Sequence, residues 1–362
     1  MKFVLAAMIA LLTLESLLVE SAVINSPMEN QAHSYIASVG IGSPPTTYDL
    51  IVDTGSSFTW IGANKAYVQT STSQQTTNTF SLSDDRGVSG KVYTDKVTLA
   101  GGLVVSTQSI GVASSSTGFN GVDGVLGLGP TDLTIGILSP DTKSAIPTVT
   151  DNLFAAGAIN ENEVSLSFEP ITDSSGSQLN GEATWGGTDS SKYTGEITLV
   201  PITTTSPANS YWGIDASLAY GDTTILSTTA GIVDSGTTLL LLASDAFQKY
   251  QSATGGVLDQ ATGLLTITSD QYANLHSLFF TISNTKFEFT ANAQIWPRSL
   301  NSVIGGTAGN IYLIVKDNGA QSGSGLDFVL GQVFIERFYT VFDTANNRVG
   351  IATTPFTTAT TN

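Results

Sequence analysis

Apolar and polar residues alternate along many short stretches of this chain, as they do in β-strands with one buried face. Residues 35–42 alternate in this way, and residues 48–52 continue directly into Asp53. Gly, Ser and Thr crowd the segments between such stretches and favour turns. The pattern therefore predicts a mostly β protein, with a hairpin over 80–99 and further strands at 58–61, 122–130, 164–168, 211–214, 224–233, 239–242, 326–331, 338–343 and 348–352.

Three short stretches have a helical pattern instead. Residues 148–157 predict a helix with Thr148 or Thr150 as its N-cap and Gly157 beyond its end. Residues 244–250 predict a second helix with Ser244 as its N-cap. Residues 272–278, which include His276, are helix-like as well, whereas the polar residues 63–79 predict surface loops.

Two of the predicted strands end in nearly the same motif. Residues 51–57 read Ile-Val-Asp-Thr-Gly-Ser-Ser, and residues 231–238 read Gly-Ile-Val-Asp-Ser-Gly-Thr-Thr. The two Asp residues stand half a chain apart, as expected if two related halves each donate one carboxylate to a shared site. We expect a boundary between about 193 and 204, with an N-terminal β lobe over 23–199 and a C-terminal β lobe over 200–362.

The motifs predict catalysis by a pair of carboxylates. Two carboxylates in close contact cannot both ionise freely, so Asp53 and Asp234 would hold one proton between them near acid pH. Such a pair can activate a water without a metal, a cofactor or a covalent nucleophile. Gly55 permits a sharp turn beside the first carboxylate, where a side chain would crowd a ligand.

Composition excludes several other classes of protein. The 362 residues carry a net charge of −17, so we expect no basic surface that could bind nucleic acid or anionic lipid. It has no Cys, which removes thiol catalysis and thiolate metal sites, and only two His, both interpreted as structural. The acidity suits a protein that works in acid, although solubility alone would explain it equally well.

The N-terminus has the pattern of a secretory signal. Lys2 supplies the positive start, residues 3–14 an apolar core, and Ser21 and Ala22 a small-residue end. The apolar core is too short to span a bilayer, and no later segment is apolar enough to do so. We therefore expect residues 1–22 to be a signal peptide and the protein to be secreted, with no membrane contact after its removal.

With these motifs in place, the chain resembles the pepsin-like aspartic endopeptidases. The resemblance rests on the two Asp motifs, on Trp60, on residues 122–127 and 211–212, and above all on residues 330–352. The Cys-free, Ser/Thr-rich character and residues 108–114 and 295–298 are similar to the polyporopepsin subgroup of secreted basidiomycete proteases. The resemblance covers residue 30 to the C-terminus and implies a bilobal β fold with a central cleft, a monomer, and protein or peptide substrates.

The resemblance also implies roles for the matching residues. Asp53 and Asp234 would hold the attacking water; one takes its proton, and the other protonates or hydrogen-bonds the peptide carbonyl oxygen. The residues implied to support this pair through hydroxyl hydrogen bonds and tight turns are Thr54, Gly55, Ser56, Ser235, Gly236 and Thr237.

Substrate contacts are implied in the same way. Ile51, Val122 and Val125 would line the pocket for the side chain before the scissile bond, with plain core packing as the alternative. The other predicted substrate-binding residues are Trp60, Ser83, Asp85 and Tyr211.

One segment departs from the family pattern. In this family a hairpin flap closes over the substrate with a Tyr at its tip, and that position falls on Ser83 here, followed by Asp84, Asp85 and Arg86. Loss of a lid lowers rate, because closure excludes water and orients substrate. We expect a weaker or differently selective peptidase, and acidic residues near the cleft would favour basic substrate side chains.

Three functions remain open on the sequence alone. The first is a secreted acid endopeptidase, which the intact pair of motifs favours. The second is a catalytically weak relative that binds peptide or protein in its cleft, which the altered flap favours. The third is an acidic structural protein of the cell wall, which would leave the paired motifs unexplained.

Overall fold

The structure is a computed structural model that describes residues 23–82, 87–172 and 174–362. The expected signal peptide and the flap positions Ser83 and Asp85 lie outside the described residues. In the part that is described, no helix is long and apolar enough to cross a membrane.

Short strands are the main regular secondary structure of the described residues, as the alternation predicts. Those before residue 202 are β1 (Ile24–Asn30), β2 (Tyr35–Ile41), β3 (Thr46–Asp53), β4 (Trp60–Ile61), β5 (Gln74–Leu82), β6 (Val88–Thr98), β7 (Val104–Ser115), β8 (Gly124–Gly127), β9 (Leu138–Ser139), β10 (Glu163–Ser167), β11 (Gln178–Trp185) and β12 (Thr194–Pro201). Those after it are β13 (Gly213–Tyr220), β14 (Thr223–Val233), β15 (Leu240–Leu242), β16 (Val257–Leu258), β17 (Leu265–Ile267), β18 (Leu278–Ile282), β19 (Thr285–Phe289), β20 (Ile311–Leu313), β21 (Val315–Asp317), β22 (Phe328–Leu330), β23 (Phe338–Asp343) and β24 (Arg348–Thr353).

Helices are short and few among the described residues. The α-helices are α1 (Val149–Ala155), α2 (Ser244–Thr254), α3 (Ser269–Ala273) and α4 (Gln332–Ile335), and 3₁₀ turns lie at Ala100–Gly102, Thr131–Thr134, Ala208–Ser210 and Arg298–Ile304. The N-cap of α1 is Thr148, the first of the two predicted candidates, and it forms a reciprocal pair of hydrogen bonds with Asp151.

Three local predictions are wrong. Ser244 is the first residue of α2 and not its N-cap, because its hydroxyl donates to Asp317 Oδ1 (2.7 Å) instead of accepting from the helix. The segment around His276 is not helical: the Thr268 cap starts α3 early, and the helix ends at Ala273. Residues 63–79 are not all loop, since β5 begins at Gln74 and pairs with β6.

A single sheet joins the two halves of the chain. Its strand order is β12-β24-β23-β10-β11-β1-β2-β3-β8-β4-β7-β6-β5-β9, so the C-terminal strands β23 and β24 lie between N-terminal strands. A seven-stranded sheet, β19-β18-β13-β14-β22-β15-β21, and a three-stranded sheet, β16-β17-β20, belong to the second half. The proposed lobe boundary at 199/200 falls inside β12, which pairs with β24, and the division into lobes stays a prediction.

A buried carboxyl joins the N-terminal strands to the C-terminal half. Glu336 Oε1 accepts hydrogen bonds from Asn30 Nδ2 (3.2 Å), Tyr35 OH (3.3 Å) and Gln332 Nε2 (3.2 Å). Burial raises the pKa of Glu336 from 4.5 to about 7, although these hydrogen bonds and the charge of Arg337 oppose the shift. The folded protein therefore favours the neutral form of this carboxyl well above its ordinary range.

Stability should depend on pH through this group. The folded state holds the Glu336 proton more tightly than the unfolded chain does, so the free energy of unfolding falls as pH rises from about 4.5 through about 7. We expect Glu336→Gln, which stays neutral, to flatten the decline of the thermal midpoint over that range. The exposed Glu196→Gln is the matched control, and equal slopes for both variants would contradict the assignment.

Candidate active site

The two halves present their Asp residues in the same way. Asp53 is the last residue of β3, which runs parallel to β8, and Asp234 directly follows β14, which runs parallel to β22. Leu128 N donates to Asp53 O (2.7 Å) and Asp234 N donates to Leu330 O (3.0 Å). Each carboxylate thus stands at the end of a strand that two-sided backbone pairing holds in place.

Glycine is required beside each carboxylate because the opposite carboxylate occupies the space. A Cβ on Gly55 would lie 2.5 Å from Asp234 Oδ1, and a Cβ on Gly236 would lie 2.3 Å from Asp53 Oδ1. No side chain fits at such distances. The structure therefore brings Asp53 and Asp234 into contact across the two turns.

Each carboxylate is held by its own turn in the same pattern. Gly55 N donates to Asp53 Oδ1 (2.8 Å) and Ser56 Oγ donates to Asp53 Oδ2 (2.5 Å). In the second turn, Gly236 N donates to Asp234 Oδ1 (2.8 Å) and Thr237 Oγ1 to Asp234 Oδ2 (2.6 Å). Four donors fix the orientation of both groups, so each carboxylate presents a defined face to its partner.

Beneath the pair, the two turns are tied to each other by reciprocal hydrogen bonds. Thr54 N donates to Ser235 Oγ (3.0 Å), and Ser235 N donates to Thr54 Oγ1 (2.9 Å). The same hydroxyls donate onward, Thr54 Oγ1 to Val233 O (3.2 Å) and Ser235 Oγ to Val52 O (2.8 Å). Both side chains are buried, so the link between the halves is protected from water.

Electrostatics at the pair favour a shared proton. Burial, and then the negative charge of Asp234, raise the pKa of Asp53 from 3.8 to about 7. Hydrogen bonds from Ser56 and Gly55 oppose the shift by stabilising the charged form. The pair titrates as one unit, in which the first ionisation makes the second harder.

A small pocket adjoins Asp53. It has a volume of about 60 Å³ and is lined by Ile51, Asp53, Ser56, Trp60, Leu82, Phe119, Val125 and Gly236. Ile51 and Val125 are direct register partners on β3 and β8, which explains why both reach it. Val122 is buried in the apolar cluster around Trp60 and does not line this pocket.

Sequence reasoning missed part of this pocket. Phe119 packs edge-to-face on Trp60, with ring centroids 4.7 Å apart, and Leu82 reaches the pocket from the end of β5. Phe119 could have been considered because it is an apolar residue shortly before residues 122–127. No sequence pattern, however, predicts its contact with Trp60.

Other predicted residues lie along the cleft or outside the described part. Tyr211 lines a neighbouring cavity of about 390 Å³ together with Gly55 and Ser56. The neighbouring Trp212 is buried, and its Nε1 donates to Leu128 O (2.9 Å). Within the described ranges, no group of three or more His, Cys, Asp or Glu is placed to hold a metal ion.

The reciprocal bonds between the turns should stabilise the whole protein. Thr54→Val keeps the shape of the side chain but leaves Ser235 N without its acceptor and Val233 O without its donor. We expect the free energy of unfolding to fall by about 1–3 kcal/mol, measured by urea denaturation. Thr223→Val, at an exposed strand position, is the control. Equal stability of the two variants would contradict a stabilising role for these bonds.

Comparison with known proteins identifies one family model and several similar proteins. The pattern of the eukaryotic aspartyl protease family matches residues 34–354. Polyporopepsin of Irpex lacteus is 61% identical over 338 residues, covering 93% of this chain and 98% of that protein. Rhizopuspepsin-1 of Rhizopus niveus is 31% identical over 335 residues, covering 88% of this chain and 78% of that protein.

A solved structure supports the same grouping. The crystal structure of aspartic proteinase from Irpex lacteus has a TM-score of 0.92 and 60% sequence identity, covering 94% of this chain and 100% of that one. The similarity confirms the predicted mostly β, pepsin-like fold. This chain therefore belongs to the eukaryotic aspartyl protease family and is a pepsin-like aspartic endopeptidase.

Proposed function

We propose that this chain is a secreted acid endopeptidase that hydrolyses peptide bonds with a water activated between Asp53 and Asp234. The observation that carries the proposal is the contact between the two carboxylates, each held by a glycine N–H and a hydroxyl of its own turn. This arrangement leaves the facing oxygens of the pair as the site where a water can be held.

The shared proton supplies both an acid and a base. The ionised carboxylate takes a proton from the water while the water oxygen attacks the peptide carbonyl carbon. The other, protonated, donates its proton to the carbonyl oxygen, giving a neutral tetrahedral diol. Return of a proton to the amide nitrogen then allows the C–N bond to break, releasing a carboxylic acid and an amine.

The raised pKa of Asp53 sets the working range. The reaction needs one proton on the pair, and with the pKa of Asp53 at about 7 that proton is present in acid and neutral solution. As pH rises through about 7 the pair loses it, and general-acid assistance to the carbonyl oxygen is lost. We therefore expect the rate of hydrolysis to be high in acid solution and to decrease toward alkaline pH.

Neighbouring residues serve the substrate. The pocket beside Asp53 has apolar walls at Ile51, Trp60 and Val125 and takes the side chain before the scissile bond. Tyr211 lines the neighbouring cavity, which also touches Gly55 and Ser56 of the Asp53 turn. Since a polypeptide must enter this cleft in extended form, unstructured or locally unfolded segments are the substrates.

Secretion and a monomeric state belong to the same proposal. Lys2, the apolar run at 3–14 and the small residues at 21–22 support export. The net charge of −17 argues against nucleic-acid partners and against binding to anionic membranes.

A catalytically weak, peptide-binding protein is the second candidate, and one observation favours it. Leu82, the last residue of β5, lines the pocket that contains Asp53, and the family resemblance assigns the flap Tyr position to the next residue in the sequence, Ser83. A Ser there has no ring to cover substrate and exclude water. The intact carboxylate pair argues against complete loss of activity.

Digestion of a denatured protein at acid pH, with and without a statine-type inhibitor, tests the proposal. We expect inhibitor-sensitive cleavage that declines as pH rises through about 7. Asp53→Asn and Asp234→Asn should each lower kcat/KM by about 100- to 10,000-fold while leaving the thermal midpoint near that of the parent. The exposed Asp222→Asn is the matched control. Absence of inhibitor-sensitive cleavage by folded protein would overturn the peptidase proposal.

The flap substitution separates the two candidates. If Ser83 limits catalysis, Ser83→Tyr should raise kcat/KM roughly tenfold, because a ring at this position excludes water and orients substrate. Thr77→Tyr, at an exposed position of β5, controls for the added ring. An unchanged kcat/KM in Ser83→Tyr would contradict the idea that the flap limits the rate.

A further inference from the structure

The cleft continues past the carboxylate pair into a larger space. The cavity of about 390 Å³ that touches Gly55 and Ser56 shares Leu133, Ile135 and Tyr211 with a second cavity of about 870 Å³. We call this second cavity the outer chamber; its polar walls include Thr131, Asp132, Thr203, Asn209, Thr344 and Asn347. Because the two cavities have three lining residues in common, they adjoin each other, and we refer to them together as the groove.

One charge marks the outer chamber. Asp132 is the charged member of its described lining, and the other lining residues are hydroxyl, amide or apolar. The Asp132 side chain is exposed, and among the described residues it has no hydrogen bond or ion pair assigned. Its carboxylate is therefore available to a group that enters the chamber.

The loop that carries Asp132 is fixed relative to the catalytic turn. Ser57 Oγ, in the turn after Asp53, donates to Pro130 O (2.6 Å). Thr131 Oγ1 donates to Asp151 Oδ2 (2.6 Å), an atom that also belongs to the cap of α1. A charge held on such a rigid support discriminates better than one on a mobile loop, because little ordering is needed when substrate binds.

The position of the groove decides which part of a substrate reaches Asp132. The pocket proposed for the side chain before the scissile bond shares Ser56 and Leu82 with the 390 Å³ cavity, so the two adjoin each other beside the Asp53 turn. A chain that fills the first pocket passes the carboxylates and continues into the second cavity and the outer chamber. An extended peptide advances about 3.3 Å per residue, so the groove receives several residues after the bond.

We propose that Asp132 selects substrates that carry Lys or Arg among the residues following the scissile bond. The inference rests on the proposed endopeptidase function and adds a charge preference to it. Asp132 pairs with the cationic side chain in the outer chamber, while hydroxyl and amide oxygens of the chamber walls accept hydrogen bonds from its remaining N–H groups.

Matched peptides test this assignment. Each peptide carries Lys, Gln or Glu at one position, scanned over four residues on either side of one cleavable bond. Hydrolysis is followed at low ionic strength and about pH 5, where ordinary carboxylates are ionised. We expect kcat/KM to favour Lys over Gln by roughly three- to fivefold at a position after the bond, and salt to weaken the preference.

Variants assign the preference to one residue. Asp132→Asn should bring the Lys/Gln ratio of kcat/KM near one, and Asp132→Lys should favour Glu instead. Asp222→Asn, which is exposed and is not among the residues lining the outer chamber, should retain the parent ratio. Asp85→Asn, measured in parallel, shows whether the flap carries the preference.

The outcomes are distinct from those for the proposed function. Cleavage of Lys and Gln peptides at equal rates, or a ratio that Asp132→Asn leaves unaltered, overturns the inference and leaves the peptidase standing. A preference that lies only before the bond, or that disappears only in Asp85→Asn, overturns it as well. No cleavage of any peptide by folded protein overturns the proposed function and this inference together.

Discussion

The reciprocal hydrogen bonds between Thr54 and Ser235 are the interaction on which the rest of the site depends. They join two turns that are half a chain apart in sequence, and they do so in a place from which water is excluded. A buried N–H without an acceptor is costly, so each turn requires the other in order to be satisfied. The two carboxylates meet because the residues beside them cannot be satisfied separately.

The same constraint creates the electrostatics. Turns this close leave no room for a side chain at Gly55 or Gly236, and the space is filled by the opposing carboxylate. Burial and mutual repulsion then raise the pKa of Asp53, while the hydroxyl of Ser56 and the N–H of Gly55 limit the rise. The hydrogen bonds that orient the group also oppose its pKa shift, so geometry and proton affinity are set by the same atoms.

Buried carboxyls elsewhere follow the same logic as the pair. Glu336, like Asp53, has a pKa raised to about 7 by burial. Both groups are neutral in acid, and their ionisation at higher pH is unfavourable because they are buried. The free energy of unfolding and the proposed catalytic activity therefore both decrease as pH rises. An enzyme with these two groups is suited to acid solution for structural as well as chemical reasons.

The sequence by itself was sufficient for the mostly β class and for the two Asp motifs, and it narrowed the cap of α1 to Thr148 or Thr150, because each is encoded in a local pattern of polarity and turn residues. Local pattern failed at Ser244, whose hydroxyl is engaged by the distant Asp317, and at Gln74, where pairing with β6 imposes a strand on a polar segment. Only the tertiary structure decided that Phe119 meets Trp60 and that Asp132 faces the groove. Those relations depend on which strands become neighbours, and strand pairing over long sequence distances leaves no mark in any single segment.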